Sequence, residues 1–409
     1  MKKYPLKIVI AGHVDHGKST FIGRLLLATQ SLAPEKLAEI QKISKELGKD
    51  TEIAYISDQL KEERENNLTI DTTQTFFKTK KRKYTIIDAP GHLEFIKNMI
   101  SGATLAQTGV LIVDAKEGIQ DQTRRHSYLF QILGLKKWIV AVNKMDAVDY
   151  SESCFLNLQK NLLEFFQKIP AEPYAVIPIS ARAGENISRK SDFMKWYTGK
   201  PLLDVLDSLD MEDKKIKESL RLPVQDVYEK QGEKMPVGRI SCGSIHKGQK
   251  VIILPEVQEA TVKSIEIFLK KTKIAKESEN IGILFQEMLS AKRGQIITQR
   301  ENPPKPTQSF EARLFWLSDE PLFVGKPFSL RCATQEVQAT IDKIIEKRDS
   351  STLDLIEKDA ASLAKNETAI ARFHTNEPVL VEKFSEIPEL GRFVIEEKSS
   401  ILGTGIVQE

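Results

Sequence analysis

The sequence predicts an α/β domain, doubly wound around a mostly parallel sheet, followed by two all-β barrels. Three observations lead there. Up to about residue 210, short apolar runs alternate with longer amphipathic stretches, the pattern of parallel strands covered on both faces by crossover helices. A glycine-rich turn follows the first of these runs directly. After residue 210 the chain changes to short strand-like runs punctuated by Gly and Pro, a spacing that fits barrels.

Taken in order, the parallel strands are expected at Leu6–Ala11, Tyr84–Asp88, Gly109–Asp114, Trp138–Asn143 and Ala175–Ser180, each rich in Ile and Val. Thr69–Lys78 alternates differently and runs into the basic stretch Thr79–Lys83, so it reads as an edge strand in a hairpin. The insertion over residues 28–68 carries Leu37, Ile40, Ile43 and Leu47 at helical spacing, with Pro34 suited to an early helical position and Gly48 to a cap. Met211–Leu220 is charged and linker-like. Strands are then expected at Leu222–Tyr228, Val237–Ser241, Gln249–Leu254 and Thr261–Phe268, and a stiff break at Glu301–Pro306 separates the last module. The expected domains are therefore 1–212, 213–304 and 305–409.

A length of 409 residues exceeds one compact core. The net charge of +3 is too small to argue for nucleic acid or an anionic membrane. Cys154, Cys242 and Cys332 are far apart and form no C-x-x-C pair, which argues against a cysteine-based zinc site and fits a reducing compartment. No signal-like segment or bilayer-length apolar run (~18 residues) is seen, so a cytoplasmic protein with no membrane partner is expected.

Gly12-His13-Val14-Asp15-His16-Gly17-Lys18-Ser19 satisfies G-x-x-x-x-G-K-[ST] between a strand and a helix, the context that motif requires. In such a loop the backbone N–H groups from Val14 to Thr20 and the helix N-terminus face phosphates. Lys18 reaches the β- and γ-phosphates, and the Ser19 hydroxyl ligates Mg²⁺. His13 and His16 also fit an H-x-x-H metal or adenylyl-transfer pair, although a phosphate loop commits these positions to loop geometry. Asp88-Ala89-Pro90-Gly91-His92 ends the next core strand. There Asp88 would hold Mg²⁺ through water, the Gly91 N–H would sense the γ-phosphate, and His92 would orient the attacking water.

Asn143-Lys144-Met145-Asp146 follows a third strand and reads as a guanine reader. The Asp146 carboxylate accepts from the N1 and N2 donors that adenine lacks, and leaving it unpaired excludes ATP. Ser180, Ala181 and Arg182 close a further strand, where a backbone N–H would meet the guanine O6. Thr69, just before the edge strand, would complete the Mg²⁺ shell only when a γ-phosphate is present, making residues 28–68 the switch. The expected fold is thus an α/β P-loop GTPase domain with two β-barrels, using GTP/GDP and Mg²⁺, with Lys18, Gly91 and His92 as its catalytic groups.

Gly12–Thr20, Asp88–His92 and Asn143–Asp146 resemble the translation-factor class of GTPases, of elongation factor Tu architecture. Leu222–Tyr228 with Val237–Ile240, and Phe384–Phe393 with Gly403–Val407, resemble its second and third domains. Within the class, Thr79–Tyr84, Asp121–Ser127, Met194–Gly199 and Gln335–Leu353 resemble the GTP-binding large subunit of bacterial sulfate adenylyltransferase. His13 and His16 stand where that subunit usually has Ser and Asp, so the loop itself is elongation-factor-like; Asn67 and Lys195 are further departures. The main expectation from this resemblance is a GTPase coupling hydrolysis to adenylylsulfate synthesis on a separate small ATP-binding catalytic subunit. The alternative is a translation GTPase that binds tRNA or the ribosome. Lys80–Lys83, Lys270, Lys271 and Lys273 read as solvated faces, Arg124 and Arg125 as surface residues, His126 as structural, and Trp196 and Tyr197 as packing.

Overall fold

A computed structural model of the chain describes residues 5–32, 74–88, 106–132, 135, 137–167, 172–209, 219–230, 232–267, 270–288, 291–398 and 400–408. The chain divides into two compact units, Met1–Met211 and Glu212–Glu409. In the first, the elements are β1 Leu6–Gly12, α1 Lys18–Ala28, β2 Gln74–Lys78, β3 Lys83–Asp88, β4 Thr108–Asp114, α2 Asp121–Ile132, β5 Trp138–Asn143, α3 Glu152–Phe166, β6 Ala175–Pro178 and α4 Leu202–Ser208. The sheet order is β2-β3-β1-β4-β5-β6. β1 lies parallel between β3 and β4, so the chain winds outward from it in both directions and the turn after β1 opens at the switch point.

β4 and β5 are buried at every residue, which is why they read as unbroken apolar runs. Ile8, Ile10, Phe21, Leu25, Ile86, Ile112, Ile139 and Ile177 fill one face of the sheet. On the other, Trp138 meets Phe130 and Phe166 edge-on, with ring centroids 5.7 and 4.8 Å away. Burying each such side chain contributes roughly 1.5–3 kcal/mol. Gly109 makes the helix approach possible: a Cβ there would lie 2.6 Å from Phe130 Cε2. The expected edge hairpin is present, with β2 antiparallel to β3. Its turn is also anchored, because Thr79 Oγ1 donates to Asp207 Oδ1 at 2.7 Å, Tyr84 Oη donates to the same oxygen, and Arg82 Nη1 donates to Leu209 O at 3.0 Å. Most of the expected helical insertion lies outside the described residues.

The second unit holds two closed barrels. The first comprises β7 Arg221–Lys230, β8 Glu233–Arg239, β9 Ser244–His246, β10 Lys250–Leu254, β11 Gln258–Ile267, β12 Lys270–Thr272, β13 Ile274–Lys276, β14 Asn280–Phe285 and β15 Ile296–Thr298. Six strands close in the order β10-β15-β7-β8-β14-β11 through the β10–β11 pairing, and β12 hangs on β11 as an appended edge.

The second barrel comprises β16 Pro306–Trp316, β17 Leu322–Phe323, β18 Phe328–Cys332, β19 Gln335–Asp349, β20 Leu355–Ala360, β21 Ser362–Leu363, β22 Glu367–Leu380, β23 Arg392–Glu397 and β24 Ser400–Val407. Its closure runs β18-β23-β24-β16-β22-β19 through β18–β19, with β20 appended to β19. The barrels meet at an apolar seam of Cys242, Ile252, Leu254, Ile296, Leu380, Ile387 and Leu390. Arg221 crosses it, its Nε donating to Glu382 Oε1 at 2.6 Å and its Nη1 to Leu220 O and Thr298 Oγ1 at 3.0 Å each. Among the described residues, no helix is long and apolar enough to cross a membrane.

Candidate functional site

Those expected site residues that the structure describes gather at the C-terminal ends of β1, β5 and β6. Gly17 opens α1 with φ 91°, a left-handed conformation that favours glycine. A side chain is excluded there in any case, since a Cβ would stand 2.6 Å from Asn143 Nδ2. Lys18 Nζ donates to Gly12 O at 2.9 Å and to His13 O at 2.7 Å, so its ammonium is folded over the loop it belongs to. Val14 and Asp15 are exposed, and the Val14 N–H donates to Gln122 Oε1 at 3.3 Å. Ser19 and Thr20 lie half-buried in the first turn of α1. The register pairs Ile10 with Asp88, which brings the end of β3 beside the loop. The Asp88 side chain, together with Thr69, Gly91 and His92, lies outside the described residues.

His16 is fully buried. Its Nε2 lies 3.3 Å from Glu117 Oε2, and its Nδ1 lies 3.2 Å from Asp114 N and 3.3 Å from Ile112 O. Burial pushes the imidazole below its usual range, against the opposing pull of the Ile112 carbonyl and of Asp114. The rings of His13 and His16 meet edge-on at 5.1 Å, but both His16 nitrogens are turned to the β4 end. Among the described residues no group of His, Cys, Asp and Glu is arranged to hold a metal.

In the reader, Asn143 acts as a strut. Its Nδ2 donates to His16 O at 2.9 Å and its Oδ1 accepts from the Ala181 N–H at 2.9 Å, so one amide ties the phosphate loop, the β5 end and the β6 loop together. Ser180 Oγ donates to Asp146 Oδ1 at 2.6 Å and accepts from the Ala183 N–H at 3.1 Å, which fixes the Asp146 carboxylate. Lys144 Nζ lies 2.7 Å from Asp114 Oδ2. Burial alone would raise the Asp114 pKa, yet the hydrogen bond from Lys144 and those from the Lys116 and Glu117 N–H groups bring it below the usual carboxylate range. Arg24 of α1 donates to Ala181 O at 2.9 Å and also to Arg182 O, while Arg182 itself is exposed. Asp114, Arg24 and the inward role of the His16 ring were not legible as site residues; only the acidic end of the Gly109–Asp114 run hinted at the first.

The loop after β1 and the ends of β5 and β6 are thus braced to one another. Residues 3–259 match the family described as Elongation factor Tu GTP binding domain, residues 234–298 match Elongation factor Tu domain 2, and residues 309–408 match GTP-eEF1A C-terminal domain-like. The chain is 37% identical to the elongation factor 1-alpha of Aeropyrum pernix, across 100% of this chain and 97% of that one. It belongs to the elongation factor Tu/1-alpha family of GTPases. Binding of GTP and GDP, and hydrolysis of GTP, come with that membership. The elongation factor 1-alpha of Pyrococcus furiosus is 37% identical over 98% of this chain and 97% of its own, and that of Metallosphaera sedula 36% over 100% and 98%.

These full-length relatives overturn the main expectation of a sulfate adenylyltransferase subunit, and with it the small ATP-binding partner and a role in sulfate assimilation. Several polar groups in the segments that carried that resemblance are engaged within the fold. Thr79 and Tyr84 bond Asp207. Ser127 Oγ donates to Thr123 O at 2.8 Å, and Trp196 Nε1 to Tyr150 O at 3.0 Å. Arg348 donates to Glu346 and Leu353 O, and Asp349 caps the turn at Ser351 and Thr352.

Proposed function

We propose that this chain is a translation elongation GTPase that binds tRNA or the ribosome and works in the cytoplasm. The observation that carries the reading is identity of 35–37% to proteins named elongation factor 1-alpha over 98–100% of the chain. The geometry supports the GTP part. Lys18 exchanges loop carbonyls for the more strongly attracting β- and γ-phosphate oxygens, and Asp146, held by Ser180, accepts from the guanine N1 and N2.

Hydroxyl and carboxylate oxygens suit a hard cation. Ser19, Thr69 and, through water, Asp88 would hold Mg²⁺, which when bound neutralises charge on the phosphates. His92 places the attacking water, and the Gly91 N–H meets the γ-phosphate. The chain contributes positioning and charge compensation, with no covalent intermediate.

The test is aminoacyl-tRNA binding in GTP and in GDP, across a salt series, alongside hydrolysis with and without ribosomes. Nucleotide-dependent tRNA binding or ribosome-stimulated turnover is expected, and the absence of both would overturn the proposal. His92→Ala is expected to keep GTP affinity and to lower stimulated hydrolysis by ~100-fold or more; unchanged turnover in a single-turnover assay would remove His92 from this role.

A further inference from the structure

We propose that Asp114 is a positioning residue for the guanine nucleotide, setting the base reader against the phosphate loop through Lys144 on one side and His16 on the other. The inference rests on the reading of this site as a guanine-nucleotide site.

Asp114 ends β4, directly between the strand that carries the phosphate loop and the strand that carries the reader: the sheet order is β1-β4-β5, and the register pairs Asp114 with Asn143. Its side chain is 4% exposed, and its two carboxylate oxygens have separate tasks. Oδ1 accepts from the Lys116 N–H at 2.7 Å and the Glu117 N–H at 3.1 Å, which fixes the turn after β4. Oδ2 holds the Lys144 ammonium at 2.7 Å. The Lys144 backbone is left-handed, φ 61°, so the residue leaves the end of β5 in a conformation uncommon for a long side chain. From there it spans one strand spacing back toward β4. A nucleotide with its phosphates over α1 and its base at Asp146 must cross that span, so the Lys144 stem forms a wall along its path.

The same residue reaches the other end of the site. The Asp114 N–H lies 3.2 Å from His16 Nδ1, and the turn that Oδ1 holds presents Glu117 Oε2 at 3.3 Å from His16 Nε2. His16 in turn offers its carbonyl to Asn143. A shift of Asp114 therefore moves wall and cradle together. An aspartate meets this demand because its second oxygen is anionic; an asparagine keeps the acceptor for the turn and turns an amide toward the ammonium.

Asp114→Asn thus removes the Lys144 anchor while sparing the turn. GDP affinity is expected to fall about 10-fold, and IDP affinity by the same factor within twofold, because the wall acts on any purine whereas Asp146 alone reads the 2-amino group. A loop that simply collapsed would lose this GDP-over-IDP preference as well. Lys144→Met is expected to weaken GDP similarly, and the double variant to be no weaker than Lys144→Met alone. Lys144→Arg, which keeps a charge for Asp114, should recover most of the loss; this pair carries the test if Asp114→Asn does not fold. GDP binding by Asp114→Asn within twofold of the parent, or full additivity in the double variant, overturns the inference. Failure of the parent chain to bind GDP at all would instead count against the nucleotide site itself.

Discussion

The nucleotide end of the first unit and the seam between the two barrels of the second both bury charge, and they arrange it in opposite ways. At the seam, Arg221 and Glu382 are 1% and 7% exposed, and the guanidinium is answered by the carboxylate, by Leu220 O and by Thr298 Oγ1. That network closes on itself. At the nucleotide end, buried Asp114 is paired with a Lys144 that is 36% exposed, and buried Ser180 donates to a half-buried Asp146. This network is open, its inner members fixed and its outer members partly exposed. Closed buried polarity joins two bodies, and open buried polarity presents groups to something arriving from outside.

The largest effect should come from breaking the closed network by one partner only. Arg221→Ala takes the guanidinium away from the buried Glu382 carboxylate, and is expected to destabilise the barrel unit by about 3–5 kcal/mol without changing GDP affinity. Arg221→Met with Glu382→Leu should restore most of that stability, because no charge is stranded. Urea unfolding followed beside GDP titration checks both; a mild single variant would show that the seam depends on its apolar residues instead.

Next, Asp146→Asn at the open network should leave stability nearly unchanged and weaken GDP by about 100-fold or more. Preference should move to xanthosine diphosphate, whose C2 oxygen accepts where guanine donates. Competition between the two nucleotides reads this directly, and an unaltered preference would misplace the reader.

The smallest effect is expected at His16, the inner root of the open network. Burial lowers its pKa from the usual 6.5, so below that pH the unfolded chain binds a proton that the folded chain refuses. Stability of the first unit should hold above pH 6.5 and fall as pH drops from there toward the lower folded value. His16→Gln should remove that slope in unfolding curves at pH 5.5 and 7.5, and an unchanged slope would assign it to another group.

The parallel strands were legible because burial on both faces writes an unbroken apolar run, as in Val110–Val113 and Ile139–Val142. In the barrels, β9, β12 and β13 are three residues each, and partners rather than composition decide such strands. β19 runs for 15 residues with register shifts near Ile341 and Ile344, which break the alternation that would betray it. In the candidate site, Gly17, Lys18 and Asp146 could be named from sequence because the chemistry expected of them is bound to fixed spacing. Asp114 was not: its partner is 30 residues later and reaches it only through strand register. The client was misread because short segments such as Asp121–Ser127 and Gln335–Leu353 carried it, and similarity over the whole chain outweighs them.

Barrel closure bears on how this chain keeps clear of other copies of itself. A closed sheet offers no row of free amides to a neighbour, so within the barrel sheets the appended strands β12 and β20 are the edges open to intermolecular pairing. β12 is Lys270-Lys271-Thr272. β20 carries Glu357, Lys358 and Asp359, with Glu357 and Asp359 held by Lys347 and Lys343. Both edges meet an approaching strand with charge, and that guards against aggregation where Leu355 and Ile356 lie exposed.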